Sequence, residues 1–150
     1  MWKTERKVEL LAPAGSMEAL RAAVQNGCDA VYLGGSMFGA RAFANNFDED
    51  EIQEAIAYVY GVRVFVTVNT LIREEEFEDC VRYVQFLYEH DVDAVIIQDL
   101  GLFSVLRQRF PDMELHASTQ MHIHNPQGIH FIESCGASRV VVPRETPLKE

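Results

Sequence analysis

The fold is decided by the segment NGCDAVYLGG at residues 26–35, which recurs as HDVDAVIIQD at residues 90–99 and as CGASRVVVPR at residues 135–144. Each copy has the pattern of a helix end, a tight turn, a short apolar strand, and then polar or glycine residues where the strand stops. Repeated strand-to-helix units of this kind predict a parallel sheet covered by helices. Because such folds gather their chemistry at the carboxyl ends of the strands, we look for a site there.

The composition predicts one globular domain. The chain has 150 residues, of which 48% are hydrophobic, and this argues against disorder. No stretch approaches the roughly 20 apolar residues that a membrane helix needs, and the N-terminal residues lack the pattern of a signal peptide. We therefore expect a cytoplasmic protein with no membrane contact.

The net charge is −10, and the lysines Lys3, Lys7 and Lys149 lie near the ends, so the sequence lacks a broad basic surface for nucleic acid.

The cysteines are interpreted as structural. Cys28, Cys80 and Cys135 are far apart and form no CxxC pair. An odd count at this spacing argues against a disulfide framework and a zinc ribbon. Cys28 and Cys135 precede predicted strands, and Cys80 falls on the apolar face of a predicted helix, where a free cysteine packs as a small hydrophobe. We predict that this chain holds no cofactor through them.

The apolar runs predict six strands, at residues 8–12, 30–33, 63–68, 94–97, 114–117 and 139–142. Most are apolar throughout, which is typical of strands buried on both faces. Five helices fill the gaps. Because eight strands are needed to close a barrel, we predict a single α/β domain over residues 1–150, the N-terminal part of a TIM-barrel-like (β/α) repeat that remains incomplete. The alternative is an open doubly wound sheet, but the units are uniform and no phosphate fingerprint is present.

The ends of the predicted strands supply the candidate ligand-binding residues. The polar candidates at these ends are Asn69, Asp99, Gln120 and Arg144, with Glu145 next to Arg144. Polar groups that converge on one rim are typical of a ligand site. Gly34 and Gly35 follow the second strand and are predicted to bring backbone amides close to an anion. For any one of these residues the simpler interpretation is a turn or a helix cap, as for Asp99.

A long loop follows the second strand, at residues 34–48, and it contains Arg41, Asn45 and Asn46. Long loops at the functional end of such a sheet are often lids or binding loops. Arg41 is the most specific single candidate, because a guanidinium can hold a carboxylate or a phosphate through two parallel hydrogen bonds. The alternative is a solvated loop arginine.

Histidines cluster after the fifth strand. If this segment is extended, alternate side chains share one face, namely those of His116, Ser118, Gln120, His122 and His124. An HxH pair can bind a metal, but a third ligand at a known spacing is missing, and we predict no metal site. The weak catalytic candidates are Ser118, His116, His122 and Glu145, and neither a GxSxG elbow nor an HExxH motif occurs.

Several blocks resemble peptidase family U32, the collagenase-like proteins. They are LLAPAGS at residues 10–16, VYLGG at residues 31–35 and GARAFANNF at residues 39–47, followed by VN at residues 68–69, STQ at residues 118–120 with Asn125, and RE at residues 144–145. The resemblance covers essentially the whole chain and implies a barrel fold. The family name implies proteolysis.

The resemblance also implies other activities. It points to bacterial relatives that hydroxylate uridine or cytidine of RNA at C5 with a prephenate-linked requirement. Other relatives assist oxygen-independent ubiquinone hydroxylation and carry an iron–sulfur cluster. The cysteine-bearing signature of the family would follow Glu150, so an iron–sulfur cluster is expected only with downstream cysteines.

Three functional hypotheses follow. The first is part of an RNA-hydroxylating enzyme, with Arg41 holding a small carboxylate such as prephenate and with RNA bound by the full-length form. The second is a collagenase-like peptidase, a hydrolase acting on peptides, with Ser118 and a histidine as its pair. The third is a non-catalytic barrel fragment that associates with itself or with a second subunit through its open sheet edges.

Overall fold

The computed structural model describes residues 8–40 and 46–147. Its strands are β1 (Leu11–Pro13), β2 (Ala30–Gly34), β3 (Arg63–Val68), β4 (Ala94–Ile97), β5 (Glu114–Ala117) and β6 (Arg139–Val140). Its α-helices are α1 (Met17–Gln25), α2 (Glu49–Tyr58), α3 (Phe77–Glu89), α4 (Leu100–Arg109) and α5 (Pro126–Ser134). Short 3-10 turns occupy Glu74–Glu76 and Thr119–Met121. In the described ranges no helix has the length and apolar character needed to cross a bilayer.

The sheet is a curled half-barrel. Its strands lie in the order β1-β2-β3-β4-β5-β6, and every neighbouring pair is parallel. A doubly wound sheet reverses the strand order part-way, so the TIM-barrel-like prediction is confirmed and the open-sheet alternative is wrong. Within the described ranges β1 pairs only with β2, and β6 only with β5. The wall is therefore open between β1 and β6.

The outer strands differ from the predicted bounds. The first strand spans Leu11–Pro13 instead of residues 8–12, and the last spans Arg139–Val140 instead of residues 139–142. Each has a hydrogen-bonded neighbour on one side only, so fewer residues meet the geometry of a strand. The strands β3, β4 and β5 coincide with the prediction, and β2 extends one residue further, to Gly34.

The two faces of the sheet pack differently. Alternate strand residues such as Val31, Val66 and Ile97 join the large core that includes Leu20 and Leu102 of the helices. The intervening residues form a second, smaller cluster on the inner face, consisting of Ala30, Phe65, Ala94 and Ile96 with Leu11 and Tyr32 against it. Helices therefore cover one face, and the other face lines the interior of the half-barrel. Each fully buried aliphatic side chain of the large core contributes about 1.5–3 kcal/mol.

The structure explains the recurring segment. Gly27, Asp91 and Gly136 occupy the same place in the three copies, and each has a positive φ, of 82°, 58° and 102° respectively. This left-handed residue ends the preceding helix and turns the chain toward the next strand.

A polar residue two positions later then bonds to the neighbouring strand or to the residue just before it. The Asp29 carboxylate accepts the amide of Leu10 at 2.8 Å, and the Asp93 carboxylate accepts the amide of Val64 at 2.7 Å. In the third copy the Ser138 hydroxyl donates to the Leu115 carbonyl at 3.3 Å. The repeat therefore encodes both a helix end and a fixed register with the strand before it.

Charged residues close the amino-terminal end of the half-barrel, and we call Glu9, Arg63, Glu114 and Arg139 the ionic layer. The Arg139 guanidinium donates to both oxygens of Glu9, with Nη2 to Oε2 at 2.6 Å and Nη1 to Oε1 at 3.3 Å. Arg63 Nη2 lies 2.7 Å from Oε1 of Glu114. Since Arg139 is on β6 and Glu9 precedes β1, one ion pair spans the interior from one open edge of the sheet to the other.

The ionic layer rests on an aromatic ring. The guanidinium carbons of Arg63 and Arg139 lie 5.0 Å and 5.1 Å from the centre of the Phe65 ring, which is a favourable cation–π arrangement. The hydrogen bond from Arg139 lowers the pKa of Glu9. Burial works against ionisation of Glu114, but its contacts with Arg63 and His116 outweigh burial and lower the pKa of that carboxyl group.

Candidate functional site

A cavity of about 640 Å³ opens at the carboxyl ends of the strands. Apolar and aromatic side chains of the inner face line part of it, namely those of Leu11, Tyr32, Ile96 and Val141. Polar side chains at the strand ends line the rest, including those of Asn69, Ser118, Gln120, His122, Arg144 and Glu145. A cavity of this volume, with an apolar part and a few converging polar groups, is typical of a small-molecule site.

The structure brings together most of the predicted ligand-binding residues. Gly34, Asn69, Gln120 and Arg144 all line the cavity, together with Glu145. The Gln98 side chain donates to the Gln120 carbonyl at 3.4 Å, and this contact links the ends of β4 and β5. Arg144 and Glu145 are exposed neighbours, so the described lining has one arginine with an acid beside it. The assignment of these residues to ligand binding stays a prediction.

The loop between β2 and α2 forms one wall of the cavity through Gly39 and Ala40. Its two ends pair with each other, because the Ser36 amide donates to the Phe47 carbonyl and the Phe47 amide to the Gly34 carbonyl, both at 2.9 Å. The side chain of Asn69 accepts the amide of Ala40 at 3.0 Å. Arg41 and Asn45, which the sequence analysis singled out, lie outside the described residues.

The two glycines at the end of β2, Gly34 in the strand and Gly35 directly after it, face in opposite directions. Gly34 lines the cavity. Gly35 is buried on the helix side, where a Cβ atom would lie 1.7 Å from the Tyr83 hydroxyl oxygen. Gly35 is absent from the cavity lining, and its lack of a side chain allows Tyr83 of α3 to pack against the loop. Within the described residues the Tyr83 hydroxyl is buried with no hydrogen-bond partner, and burial raises its pKa.

Asp99 also lies away from the cavity lining. Its Oδ1 accepts the Leu102 amide at 2.8 Å and so caps α4. Its Oδ2 accepts the Ile72 amide, from the connection between β3 and α3, at 3.3 Å. The helix-cap interpretation of Asp99 therefore describes its observed contacts, and the carboxylate also joins two loops.

The histidine segment is not extended as a whole. β5 ends at Ala117, and the Ser118 hydroxyl accepts the Gln120 amide at 3.2 Å to begin the 3-10 turn. His122 then has a left-handed backbone, with φ of 54°. The prediction that the even-numbered positions from 116 to 124 share one face is therefore wrong beyond Ser118. His122 lines the cavity, and Nδ1 of His124 lies 3.4 Å from the Thr146 hydroxyl oxygen.

His116 is buried in the interior near the ionic layer. Its Nε2 lies 3.2 Å from Oε2 of Glu114, and its ring packs edge-on against Phe65 with centroids 4.7 Å apart. Its Nδ1 is buried with no hydrogen-bond partner in the described part of the chain. Burial lowers the pKa of His116, so the ring is neutral near pH 7, with Nε2–H donating to Glu114.

These contacts disfavour a nucleophile–base pair between Ser118 and His116. Such a pair requires a hydrogen bond from the hydroxyl to the ring. Within the described residues the Ser118 hydroxyl contacts the Gln120 amide, and the His116 ring contacts Glu114 and Phe65. The arrangement positions the start of the 3-10 turn and supports the ionic layer.

The cysteines do not fit an iron–sulfur cluster. The thiolates that hold a cluster converge on one site, whereas these three cysteines lie on different elements. Cys80 is fully buried in the core on α3, Cys28 follows α1, and Cys135 follows α5. In the part of the chain that the structure describes, no group of three or more His, Cys, Asp and Glu side chains is arranged to hold a metal.

Sequence reasoning missed the inner-face residues of the cavity. Tyr32, Thr67 and Ile96 line it from the middle of the strands. β2 and β4 are apolar on both faces, so their composition does not separate the inner from the outer face, whereas in β3 the polar Thr67 alternates with the valines of the outer face. The available signal was parity: Tyr32 shares its face with Gly34, and Thr67 shares its face with Asn69, since alternate residues of a strand point the same way.

Comparison with known proteins adds a family. The model of Peptidase family U32 matches residues 15–150. The 23S rRNA 5-hydroxycytidine C2501 synthase of Escherichia coli strain K12 is 40% identical over 100% of this chain and 23% of its own length. The tRNA hydroxylation protein P1 of Bacillus subtilis strain 168 is 37% identical over 97% of this chain and 35% of its own length.

A third relative has a different name. The collagenase of Porphyromonas gingivalis strain W83 is 33% identical over 91% of this chain and 33% of its own length. Among solved structures, that of the U32 peptidase Mk0906 has a TM-score of 0.77 at 16% identity and covers 95% of this chain and 61% of that one. The chain thus spans about a quarter to a third of the length of these curated relatives.

Proposed function

The chain belongs to peptidase family U32, and on this basis we propose that it forms the acid-binding part of a cytoplasmic protein that hydroxylates RNA pyrimidines at C5. The observation that carries the proposal is the cavity at the carboxyl ends of the strands, with Arg144 in its lining. Two of the similar relatives are named for RNA hydroxylation. Because the chain spans only part of their length, the proposal assigns it one role within the whole reaction.

The ligand we propose is a small cyclic carboxylic acid. A guanidinium binds a carboxylate through two parallel, charge-assisted hydrogen bonds, and we propose that Arg144, which lines the cavity, does so. Asn69, Ser118 and Gln120 offer neutral donors and acceptors for hydroxyl and carbonyl groups, and Tyr32 and Ile96 offer apolar contact for a ring. Prephenate, which the family resemblance implies, has this combination of groups.

We assign the contact with RNA to segments outside this chain. The net charge of the chain is −10, and a surface that binds a phosphate backbone needs clustered lysines and arginines. We propose that the RNA substrate is held by segments that correspond to the part of the relatives' length outside this chain. The cavity then supplies the small-molecule reactant to a site shared with those segments.

Replacing Arg144 should weaken acid binding. We expect Arg144→Gln to raise the Kd for prephenate about tenfold or more, because a hydrogen bond to a charged group contributes about 1.5–3 kcal/mol. Isothermal titration calorimetry at low salt measures the Kd. The matched control is Arg109→Gln, an exposed arginine at the end of α4 outside the cavity. Equal affinity of the two variants would exclude the role of Arg144.

The RNA function is tested in a chimera. The segment of the B. subtilis tRNA hydroxylation protein P1 that matches this chain is replaced by the chain, and the chimera is expressed in a host that lacks its own RNA hydroxylation proteins. We expect mass spectrometry of digested tRNA to detect the 5-hydroxypyrimidine. A folded chimera that binds the acid and leaves the RNA unmodified would overturn the proposal.

The chimera also allows a test of the open edges of β1 and β6. We propose that these edges are covered by neighbouring strands, either from adjoining segments in the chimera or from a second polypeptide, since unpaired edges invite pairing. The isolated chain should then self-associate, whereas the chimera should not. Analytical ultracentrifugation compares the two, and a monomeric isolated chain would contradict the pairing.

The peptidase alternative has weaker support. The name of the P. gingivalis relative is collagenase, but the contacts of Ser118 and His116 do not make them a nucleophile and its base. RNA hydroxylation is therefore the function that the site and the comparisons support best.

A further inference from the structure

We infer that Asp99 is a positioning residue for the cavity, and that it acts through two loops to fix Ala40 on the cavity wall. Asp99 does not line the cavity, and its effect on a ligand is therefore indirect. The inference rests on the proposed function, because it states how the wall of the same acid-binding site is preorganised for the ligand. It gives the Asp99 carboxylate a role beyond helix capping. Asp99 follows β4, whereas the loop that it positions follows β2.

The first contact joins α4 to the connection between β3 and α3. Asp99 uses its two oxygens separately, with Oδ1 accepting from Leu102 at 2.8 Å and Oδ2 accepting from the Ile72 amide at 3.3 Å. Capping needs only the first of these bonds. The second bond is available because a carboxylate has two acceptor oxygens, and it fixes residue 72, whose side chain also packs against the large core.

The second contact joins that connection to the loop between β2 and α2. Three residues before Ile72, the Asn69 side chain accepts the Ala40 amide at 3.0 Å. The next residue, Thr70, donates its hydroxyl to the Phe38 carbonyl at 3.2 Å. Residues 69–72 therefore hold the loop at one end and are held by Asp99 at the other.

The third element is the loop itself. Its two ends pair through Gly34, Ser36 and Phe47, so the contacts of Asn69 and Thr70 are the described hydrogen bonds that hold residues 38–40 in place. Gly39 and Ala40 line the cavity, as does Asn69. A ligand that binds a fixed wall avoids the entropic cost of ordering a loop, so loss of the Asp99 contact should appear as weaker binding.

The decisive variant is Asp99→Asn. Asparagine is as good an N-cap as aspartate, so it keeps the bond to Leu102, but its amide nitrogen cannot accept from Ile72. We expect amide hydrogen exchange at Ile72 and Ala40, followed by NMR, to accelerate severalfold. The Kd for prephenate should rise about three- to thirtyfold, the range for mutations that act through a network. Helix content by circular dichroism should not change.

The matched control is Asn125→Ser. Asn125 caps α5 by accepting the Gly128 amide at 2.9 Å, and serine is an equivalent cap. This variant should leave the exchange rates of Ile72 and Ala40 and the Kd for prephenate unchanged. If both variants accelerate exchange at Ala40 equally, general loosening explains the result and the positioning role of Asp99 is overturned.

A second pair of variants tests the contact with the loop. Asn69→Asp keeps a side-chain acceptor for the Ala40 amide, whereas Asn69→Ala removes it. Exchange at Ala40 should remain slow in the first and accelerate in the second, although both weaken acid binding because Asn69 lines the cavity. Accelerated exchange in both would contradict the proposed contact.

The inference and the proposed function fail in different ways. If the wild-type chain binds no carboxylic acid but Asp99→Asn still accelerates exchange at Ala40, then the acid-binding function is wrong and the positioning of the loop is supported. If the wild-type chain binds the acid and Asp99→Asn changes neither exchange nor affinity, the function stands and the role of Asp99 is excluded.

Discussion

Gly35→Ala is expected to lower the free energy of unfolding by about 3 kcal/mol, at the upper end of the usual cost of overpacking a core. A Cβ atom at this position would lie 1.7 Å from the hydroxyl oxygen of Tyr83 and 2.9 Å from its Cζ. The ring cannot swing away easily, because Tyr83 is buried in the core beside Phe38 and Phe86. Urea unfolding followed by circular dichroism measures the loss.

A double-mutant cycle identifies the clash. Tyr83→Phe alone should change stability by less than about 1 kcal/mol, because the hydroxyl it removes is buried with no partner in the described part of the chain and costs free energy to bury. Tyr83→Phe should recover more than half of the loss in the Gly35→Ala background. Gly15→Ala is the matched control, since nothing lies within 4 Å of its Cβ position. Equal losses with and without the Tyr83 hydroxyl would show that the clash is not the cause.

Arg63→Met is expected to lower the free energy of unfolding by about 2 kcal/mol, because it leaves partly buried carboxylates of the ionic layer without their cation. Arg63 lies 2.7 Å from Glu114, 3.9 Å from Asp93 and 4.0 Å from Glu9. The full cost of a buried pair does not apply, since 35% of the Arg63 side chain is exposed and solvent screens the charges.

Arg73→Met is the matched control. Arg73 also pairs with two carboxylates, at 2.7 Å from Glu75 and 3.0 Å from Glu76, but its side chain is 70% exposed. Solvent screens an exposed pair, so we expect Arg73→Met to change the free energy of unfolding far less than Arg63→Met does. If Arg73→Met and Arg63→Met destabilise the protein equally, the ionic layer has no special role in stability.

Arg63→Met should also change how the free energy of unfolding depends on pH. The folded-state pKa values of Glu9 and Glu114 are lowered from the ordinary 4.5, so their contribution is fully present above pH 4.5 and is lost as the pH falls through the lowered values. Without Arg63, the pKa of Glu114 should rise, and its contribution should be lost at a higher pH. His116, whose pKa burial lowers from 6.5, adds a decrease of stability below pH 6.5. Urea unfolding between about pH 3 and 7 measures both curves.

The central strands were predictable because each is an apolar run between turn residues with a hydrogen-bonded neighbour on both sides. The recurring segment also predicted the helix ends, where Gly27, Asp91 and Gly136 adopt the left-handed backbone. The outer strands were less predictable, because their lengths depend on neighbours that the sequence of the strand does not specify. The barrel-like order of the strands followed from uniform units and not from any single residue.

The candidate site was predictable as a location and less so as a set of side chains. Gly34 and Gly35 are identical in sequence terms, and only the alternation of the strand sends one to the cavity and the other to Tyr83. Asp99 lies at the strand end where a ligand-binding residue was predicted, but its two carboxylate oxygens accept hydrogen bonds from backbone amides. The histidine segment turned at Ser118, because its hydroxyl bonds to the Gln120 amide in preference to continuing the strand.

The pairing of Glu9 with Arg139 also has a consequence for biosynthesis. The two partners are 130 residues apart in the chain, and a ribosome adds about 5–20 residues per second. Glu9 therefore emerges on the order of ten seconds before Arg139. Throughout that interval the ion pair that joins the two open edges of the sheet cannot form, and this is the period in which a holding chaperone would be most useful.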